Sequence, residues 1–345
     1  MIWVLALAVA IWVVGGRVGW PRQARIIALA LLYVAVLALA ILLPEGAPLS
    51  GGVGEWLVLG GLGALVWAYA VGLKLLRRRV RPENRPDPAP TGGTFAPGEI
   101  DRYARHIVLR ELGGPGQKRL KTARVLVVGA GGLGSPALLY LAAAGVGTIG
   151  VIDDDTVEAT NLQRQVIHTD ARIGMPKVFS AEAAMKAINP FVTVRPYHRR
   201  LTPEIAEELV GEYDIVLDGC DDLDTRYVLN AACAAARVPL VSGALSQWEG
   251  QLTTYAPWAG TPCYACIFPE KPAPGLAPTC AEAGVLGPLP GILGTMMAAE
   301  AIKDLTGAGQ GHRGRMAIHD ALWGEHRDIA LTRRPDCPVC GTLHG

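Results

Sequence analysis

Long apolar runs that charged residues barely interrupt occupy the first 80 residues of the chain. One unbroken apolar run of 18 residues covers Ile26–Leu43, and an uncharged run of the same length covers Trp56–Leu73. Each run approaches the ~20 residues that a helix needs to cross the hydrocarbon of a bilayer. Buried core helices of this length usually keep a polar face, which neither run has. The pattern predicts two or three transmembrane helices, at about 2–16, 26–43 and 56–76.

Basic residues around these runs predict their orientation. Three arginines lie between the first two runs, and residues 74–81 hold five Lys or Arg, whereas residues 44–55 hold none. Basic loops stay on the cytoplasmic side of a membrane. A signal peptide is the alternative for the first run, but its start lacks a positive region and further runs follow it. We therefore expect a multi-pass protein of the inner (cytoplasmic) membrane with its catalytic domain in the cytoplasm.

A proline-rich stretch follows the third run. Residues 81–98 contain five prolines together with glycines and scattered charges. This composition favours an extended linker, because it cannot build a hydrophobic core. We expect a transmembrane segment over residues 1–80, a linker over 81–98 and a folded domain over 99–345.

Beyond residue 99, short apolar runs alternate with helical patterns. Arg124–Val128 is typical of a buried parallel strand, and a small-residue helix at Ser135–Ala144 precedes a second strand at Thr148–Asp153. Further strands are predicted at Val192–Tyr197, Asp214–Asp218 and Pro239–Ser242, and further helices at Lys177–Ile188, Pro203–Val210 and Thr225–Ala235. This alternation predicts an α/β fold with a doubly wound, mostly parallel Rossmann-like sheet. Gly250–Tyr255 and Arg315–His319 are expected to extend it with antiparallel strands.

Charge and cysteine content narrow the possible classes. The 345-residue chain has a net charge of +1, so no nucleic-acid partner is expected. Four of its seven cysteines form two Cys-x-x-Cys pairs, Cys263/Cys266 and Cys337/Cys340. Such spacing, with an odd total, favours a metal site over a disulfide scaffold. Four thiolates predict one structural zinc ion that clamps two distant segments together and has no open position for catalysis.

A glycine-rich sequence follows the first predicted strand. It runs Gly129-Ala-Gly131-Gly132-Leu-Gly134, and such glycines let the backbone cradle a phosphate at a helix N-terminus. Asp153 ends the second predicted strand, where an acidic residue commonly binds ribose hydroxyls. Because NAD and ATP both contain these groups, the two features leave an NAD-dependent oxidoreductase and an ATP-using enzyme open.

Additional charged residues favour ATP chemistry. Arg164 and Lys177 follow the second strand, and Asp221 and Asp222 follow the predicted strand at Asp214–Asp218. Hydride transfer has no need of extra cations and a carboxylate beside the phosphates. When a carboxylate is adenylated, charge builds on phosphate oxygens as pyrophosphate leaves, and cations with Mg²⁺ must neutralise it. The ionised carboxylate is itself the nucleophile, so no general base is required.

Several motifs together resemble the ThiF/MoeB/HesA family, which is related to the ubiquitin-activating enzymes. The resemblance rests on Arg102–Arg110, Gly129–Gly134, Asn161–Gln165, Thr279–Gly284 and the cysteine pairs, and covers about residues 100–342. It is strongest to the molybdopterin-synthase adenylyltransferases (MoeB). The resemblance implies adenylation of the C-terminal glycine of a Gly-Gly-ended, ubiquitin-like sulfur carrier for molybdenum cofactor biosynthesis. The alternatives are a ThiF-like enzyme serving a thiamine or cysteine biosynthesis carrier, and a membrane scaffold that binds a carrier without catalysis.

The resemblance also implies roles for individual residues. Contacts to ATP would come from Gly129, Gly131, Gly132, Gly134, Asp153, Asn161, Arg164, Lys177, Asp221 and Asp222. Asp221 would also bind Mg²⁺. Arg105 would be an arginine finger that reaches into the partner's site, which makes a homodimer part of the mechanism. Cys280 would lie in a mobile crossover loop, where some relatives form a thioester or a persulfide.

Two departures from the family pattern stand out. The family's Asp-Asn pair reads Asp221-Asp222 here, which puts one nucleotide contact in question. The chain also ends at Gly345 without the C-terminal rhodanese domain of some relatives, so we expect a separate sulfur donor such as a cysteine desulfurase or a rhodanese. The histidines have no spacing typical of ligands and are expected to be surface or internally satisfied residues.

Overall fold

The computed structural model describes residues 2–18, 20, 22–42, 53–80, 95–271 and 283–343. The chain divides into two compact units, Met1–Asn84 and Arg85–Gly345. Most of the predicted linker, residues 81–94, lies outside the described residues.

The first unit contains three helices. They are α1 (Ile2–Arg17), α2 (Arg22–Leu42) and α3 (Val53–Val80). The guanidinium of Arg25 lies 5.0 Å from the centre of the Trp12 ring and links α2 to α1. The hydroxyl of Tyr33 donates a hydrogen bond of 2.8 Å to the carbonyl of Trp56 and links α2 to α3.

Over the described residues, none of these helices combines the length and apolarity that crossing a membrane requires. The predicted transmembrane helices, and with them the membrane partner and the multi-pass inner-membrane localisation, are therefore wrong. The helix α1 has only 16 residues and rises about 24 Å, short of the ~30 Å hydrocarbon core. The helices α2 and α3 are longer, but both include charged residues within their bounds.

An eight-stranded sheet organises the second unit. Its strands are β1 (Arg124–Val128), β2 (Thr148–Ile152), β3 (Thr193–Tyr197), β4 (Ile215–Asp218), β5 (Leu240–Leu245), β6 (Glu249–Tyr255), β7 (Arg315–Asp320) and β8 (Glu325–Ala330). The spatial order is β3-β2-β1-β4-β5-β6-β7-β8, with β1 to β5 parallel and the last three antiparallel. The Rossmann-like sheet and its antiparallel extension are therefore confirmed. The strand β8 was not predicted, because all six of its residues are exposed and carry no apolar alternation.

Nine helices flank this sheet or connect its strands within the described residues of the second unit. They are α4 (Glu99–Arg102), α5 (Ala104–Ile107), α6 (Gly113–Thr122), α7 (Gly134–Ala144), α8 (Lys177–Ile188), α9 (Pro203–Gly211), α10 (Leu223–Ala236), α11 (Tyr264–Ile267) and α12 (Pro288–Thr306). Three short 3₁₀ turns lie at Ala159–Asn161, Asp170–Arg172 and Pro257–Ala259.

Successive residues of β1 face opposite sides of the sheet and enter two separate cores. Val125 and Val127 pack with α6, α7, α8 and α12 on one side. Leu126 and Val128 pack with α9 and α10 on the other. A strand buried on both faces reads as a continuous apolar run, which is why its sequence predicted it correctly.

Candidate active site

The carboxyl ends of β1, β2 and β4 border a cleft of about 400 Å³. The chain leaves β1 toward β2 on one side and β4 toward β5 on the other, so the loops diverge between β1 and β4. Open α/β sheets bind ligands in the crevice formed at such a switch point. Predicted site residues that line the cleft are Gly129, Gly131, Gly132, Asp153, Arg164, Lys177, Asp221 and Asp222.

Two glycines allow the loop after β1 to turn sharply into α7. Gly129 has φ of 92°, and a Cβ atom there would lie 2.9 Å from the carbonyl oxygen of Gly219. A Cβ atom at Gly134 would lie 1.9 Å from the carbonyl oxygen of Gly129. Any larger residue at Gly134 would push the loop away from the helix. The close approach leaves the N-terminus of α7 beside the cleft, where its free N–H groups and helix dipole favour a phosphate.

Asp153 shapes this loop from the end of β2. Its carboxylate accepts hydrogen bonds of 2.8 Å from the backbone N–H groups of Ala130 and Asp155. Burial raises the pKa of the Asp153 carboxyl, while the charge of Lys177 and these two N–H groups oppose the rise. Asp153, which was predicted to bind ribose, therefore also fixes the loop Gly129–Gly134, called the glycine loop below.

Lys177 is the first residue of α8 and is buried, with its ammonium group at the cleft. Its Nζ donates a hydrogen bond of 2.7 Å to the exposed carboxylate of Asp155. Its backbone N–H donates to the carbonyl of the same residue at 2.9 Å. The first bond orients the cation, and the second fixes the backbone from which its side chain extends.

Arg164 reaches the cleft from the segment after β2. Its guanidinium donates to the Oδ1 of Asn161 at 3.1 Å and to the carbonyl of Thr160 at 3.3 Å. Asn161 is not part of the cleft wall. In this arrangement the side chain of Asn161 orients Arg164.

Asp221 and Asp222 differ in their surroundings although both line the cleft. The carboxylate of Asp222 caps α10 by accepting hydrogen bonds from the N–H (2.9 Å) and the hydroxyl (2.6 Å) of Thr225. It also accepts one of 2.7 Å from Arg200. These bonds outweigh partial burial and lower the pKa of Asp222. Asp221 is exposed, and its carboxylate has no hydrogen-bond partner among the described residues.

A buried ion pair that sequence reasoning missed supports the loop that carries Asp221. Asp218, at the end of β4, accepts from Arg226 at 3.1 Å and from the Ser242 hydroxyl at 2.8 Å. Arg226 also donates to the carbonyls of Cys220 (2.5 Å) and Gly243 (2.8 Å). A buried charge needs such complete pairing. Its sequence signal was weak, since an Asp and an Arg eight residues apart are common on any chain.

Two further missed residues face the cleft. Arg200 lines it and pairs with Asp222. Gln165 is buried and also lines it, and its Oε1 has no partner among the described residues. Gln165 therefore offers an acceptor to a ligand. Gln165 closes the Asn161–Gln165 motif but was given no role of its own, and Arg200 lies outside the motifs.

Two further predicted site residues are not part of the cleft wall over the described residues. Arg105, in α5, is exposed and does not line this cleft. Cys280 lies outside the described residues.

The four cysteines of the Cys-x-x-Cys pairs meet in one buried cluster. Their sulfur atoms all lie within 4.8 Å of one another. Neighbouring Sγ atoms are 3.9 Å apart for Cys263 and Cys266, 3.6 Å for Cys263 and Cys337, and 3.4 Å for Cys266 and Cys340. A zinc ion with Zn–S bonds of about 2.3 Å requires sulfurs about 3.8 Å apart. The donor set and the spacing both fit zinc.

Comparisons with known proteins agree with this geometry. The profile described as the ThiF family matches residues 103–339. The SAMP-activating enzyme E1 of Haloferax volcanii is 49% identical over 243 residues, which cover 70% of this chain and 89% of that protein. The sulfur carrier protein adenylyltransferase of Thermus thermophilus is 47% identical over 247 residues, covering 70% of this chain and 91% of that protein. A crystal structure of E. coli MccB with AMPCPP and MccA has a TM-score of 0.63 at 22% identity, covering 71% of this chain and 75% of that one.

Proposed function

The chain belongs to the ThiF family, and from this membership we propose that it is an adenylyltransferase that uses ATP to activate a ubiquitin-like sulfur carrier. Two relatives at 47% and 49% identity are named for the activation of SAMP and for the adenylation of a sulfur carrier protein. The observation that carries the proposal is the cleft. It places the cations of Lys177 and Arg164 and the carboxylate of Asp221 around a glycine loop.

The proposed reaction joins AMP to the carrier's terminal carboxylate. A carboxylate oxygen of the carrier's last glycine forms a bond to the α-phosphorus of ATP. The bond from that phosphorus to the bridging oxygen breaks, and pyrophosphate leaves with the electron pair. The glycine loop would cradle the phosphates, while Arg164 and Lys177 would offset the charge that develops on their oxygens. Because the attacking group is already ionised, no proton has to be removed.

The acidic pair after β4 fits a magnesium ion. Carboxylate oxygens are the ligands that Mg²⁺ prefers, usually one or two together with phosphate oxygens. Asp221 is suited to this because its carboxylate is exposed in the cleft, whereas Asp222 is occupied by Thr225 and Arg200. Bound Mg²⁺ would neutralise charge on the triphosphate. Asp222 carries a negative charge where the family has Asn, and Arg200 pairs with that charge. The Asp222 carboxylate therefore serves as the N-cap of α10.

The cysteine cluster is proposed to hold a structural zinc ion. Cys263 precedes α11, whose Tyr264 packs edge-on against Tyr227 of α10 at 5.2 Å between ring centres. The backbone N–H of Tyr264 donates to the side chain of Asn230 in α10. A metal that joins this segment to Cys337 and Cys340 would fix the C-terminal segment to the helix that Asp222 caps. An NAD-dependent oxidoreductase has no support, since the named relatives are adenylyltransferases or activating enzymes.

The proposed activity is tested by isotope exchange between pyrophosphate and ATP. We expect labelled pyrophosphate to enter ATP only when Mg²⁺ and a Gly-Gly-ended carrier are present, at least about tenfold above the rate without carrier. Exchange with a MoaD-like carrier would indicate a role in molybdenum cofactor biosynthesis, and exchange with a ThiS-like carrier a role in thiamine or cysteine biosynthesis. Each carrier truncated by its last two glycines is the control. Exchange that ignores the carrier, or none with any carrier, would contradict the proposal.

A homodimer with a shared active site is proposed from the position of Arg105. This residue is exposed and lies outside its own cleft, and the exposed apolar side chains of Val108 and Leu109 follow it. We expect Arg105→Ala and Lys177→Ala proteins each to be nearly inactive. Their equal mixture should regain about a quarter of wild-type exchange, because half of the pairs are mixed and each mixed pair keeps one intact site. If the mixture stays as inactive as its components, Arg105 does not act across subunits.

A further inference from the structure

A buried histidine that has no role in the proposed chemistry links the glycine loop to α8, the two parts of the site that would face a triphosphate. His168 is 5% exposed and lies between the first two 3₁₀ turns. Its Nε2 lies 2.9 Å from the carbonyl oxygen of Ala130, and its Nδ1 lies 2.9 Å from the hydroxyl of Ser180. A carbonyl oxygen can only accept, so Nε2 carries a proton. Burial lowers the pKa of His168; the bond to Ala130 opposes this, and the nearby cations Lys177 and Arg172 lower the pKa further. The balance favours the neutral ring, whose Nδ1 can accept from Ser180.

The bond to Ala130 fixes part of the glycine loop. The N–H of Ala130 is already held by Asp153 at 2.8 Å, so both polar groups of this residue's backbone are bonded. In a trans peptide the carbonyl and the following N–H point in opposite directions. Holding the Ala130 carbonyl toward His168 therefore sets the direction of the N–H of Gly131, a residue of the cleft wall.

The bond to Ser180 fixes the first turn of α8. Ser180 lies one helical turn after Lys177, on the same face of the helix. Its carbonyl accepts a hydrogen bond of 2.9 Å from Arg172. The imidazole is thus a rigid spacer between the helix that presents Lys177 and the loop that would cradle the phosphates.

We propose that His168 is a positioning residue that sets the Gly131 N–H and the Lys177 ammonium at a fixed separation for the nucleotide's phosphates. This inference rests on the proposed function. The ligand that His168 would help to bind is a nucleoside triphosphate and not the carrier. Replacing His168 should therefore weaken nucleotide binding and leave the KM for the carrier unchanged.

Calorimetric titration of ATP with Mg²⁺ in the absence of carrier tests the inference. We expect His168→Phe, which keeps a ring but cannot donate, to raise the Kd for ATP about tenfold, the equivalent of one buried hydrogen bond. His168→Gln retains an N–H donor and should restore most of the affinity. Hydrogen exchange at the amides of Gly131–Gly134 should become faster in the Phe variant and stay slow in the Gln variant.

Two controls keep the test decisive. His319→Gln changes another buried histidine, which lies on β7 and does not line the cleft, and should leave the Kd for ATP unchanged. Ser180→Ala removes only a hydroxyl and, should the Phe variant not fold, must itself raise the Kd about threefold. Wild-type affinity and wild-type hydrogen exchange in His168→Phe, or a wild-type Kd in Ser180→Ala where the Phe variant does not fold, would overturn the inference, as would equal losses for ATP and carrier. Because ATP binding is measured without carrier, failure of carrier adenylation alone would refute the proposed function and not the role of His168.

Discussion

Lys177→Ala is expected to reduce carrier-dependent pyrophosphate exchange by about 10²–10³-fold, the usual effect of removing one preorganised group that stabilises transition-state charge. Lys177 is buried at the cleft, where its ammonium group donates to the Asp155 carboxylate and its backbone N–H donates to the Asp155 carbonyl. Its charge therefore acts in a site of low dielectric and costs little reorganisation. The measurement is the exchange rate at saturating ATP and carrier, with the unfolding temperature recorded to verify the fold.

A matched control is available on the same helix. Lys186 of α8 is half-exposed and pairs with Glu182, so Lys186→Ala should retain wild-type exchange to within about twofold. Similar losses in both variants would mean that α8 needs its overall charge and that Lys177 has no special place. Wild-type exchange in Lys177→Ala would contradict the proposed role of Lys177 in stabilising the transition-state charge.

Cys263→Ser is expected to lower the free energy of unfolding by about 3–5 kcal/mol, in the range of the large effects produced by loss of a metal site. The serine hydroxyl is a poor zinc ligand, and the three remaining thiols would stay buried without their common partner. For a domain of this size the melting temperature should fall by about 10 °C. Bound zinc, measured by metal analysis of the purified protein, should fall from one equivalent toward none.

The control for this prediction is Cys233, a buried thiol outside the cluster. It is buried in α10 but stands apart from the cluster. Cys233→Ser should lower stability moderately, because it buries a hydroxyl, and should leave the zinc content unchanged. A Cys263→Ser protein with wild-type zinc and melting temperature would refute the structural metal site. The main effect of Cys263→Ser should be on stability. The exchange rate per folded molecule should change only secondarily, because the cysteine cluster does not line the cleft.

The parallel strands of the sheet were predictable because their burial requires a local signal. Arg124–Val128 is apolar at the positions that enter both cores, and the glycine turn after it reflects a steric need, as the 1.9 Å contact at Gly134 shows. The strand β8 lacked such a signal, since exposed residues on an edge strand can be polar throughout.

The apolar N-terminal runs led to the wrong prediction of transmembrane helices. Hydropathy alone favoured membrane helices. Among the described residues, however, no helix combines the length and the apolarity for that role. The helical state of these runs was predictable from their composition, whereas their environment was not.

The sequence by itself determined the residues with intrinsic chemistry: the phosphate-binding glycines, the cations, the strand-end carboxylates and the four thiols. Each has a spacing that follows from local geometry, so it can be recognised without the fold. Only the tertiary structure decided how they are held. His168, Arg226 and Arg200 come from distant parts of the chain to bond Ala130, Asp218 and Asp222. Such partners carry no local pattern, because their positions depend on which segments the sheet brings together.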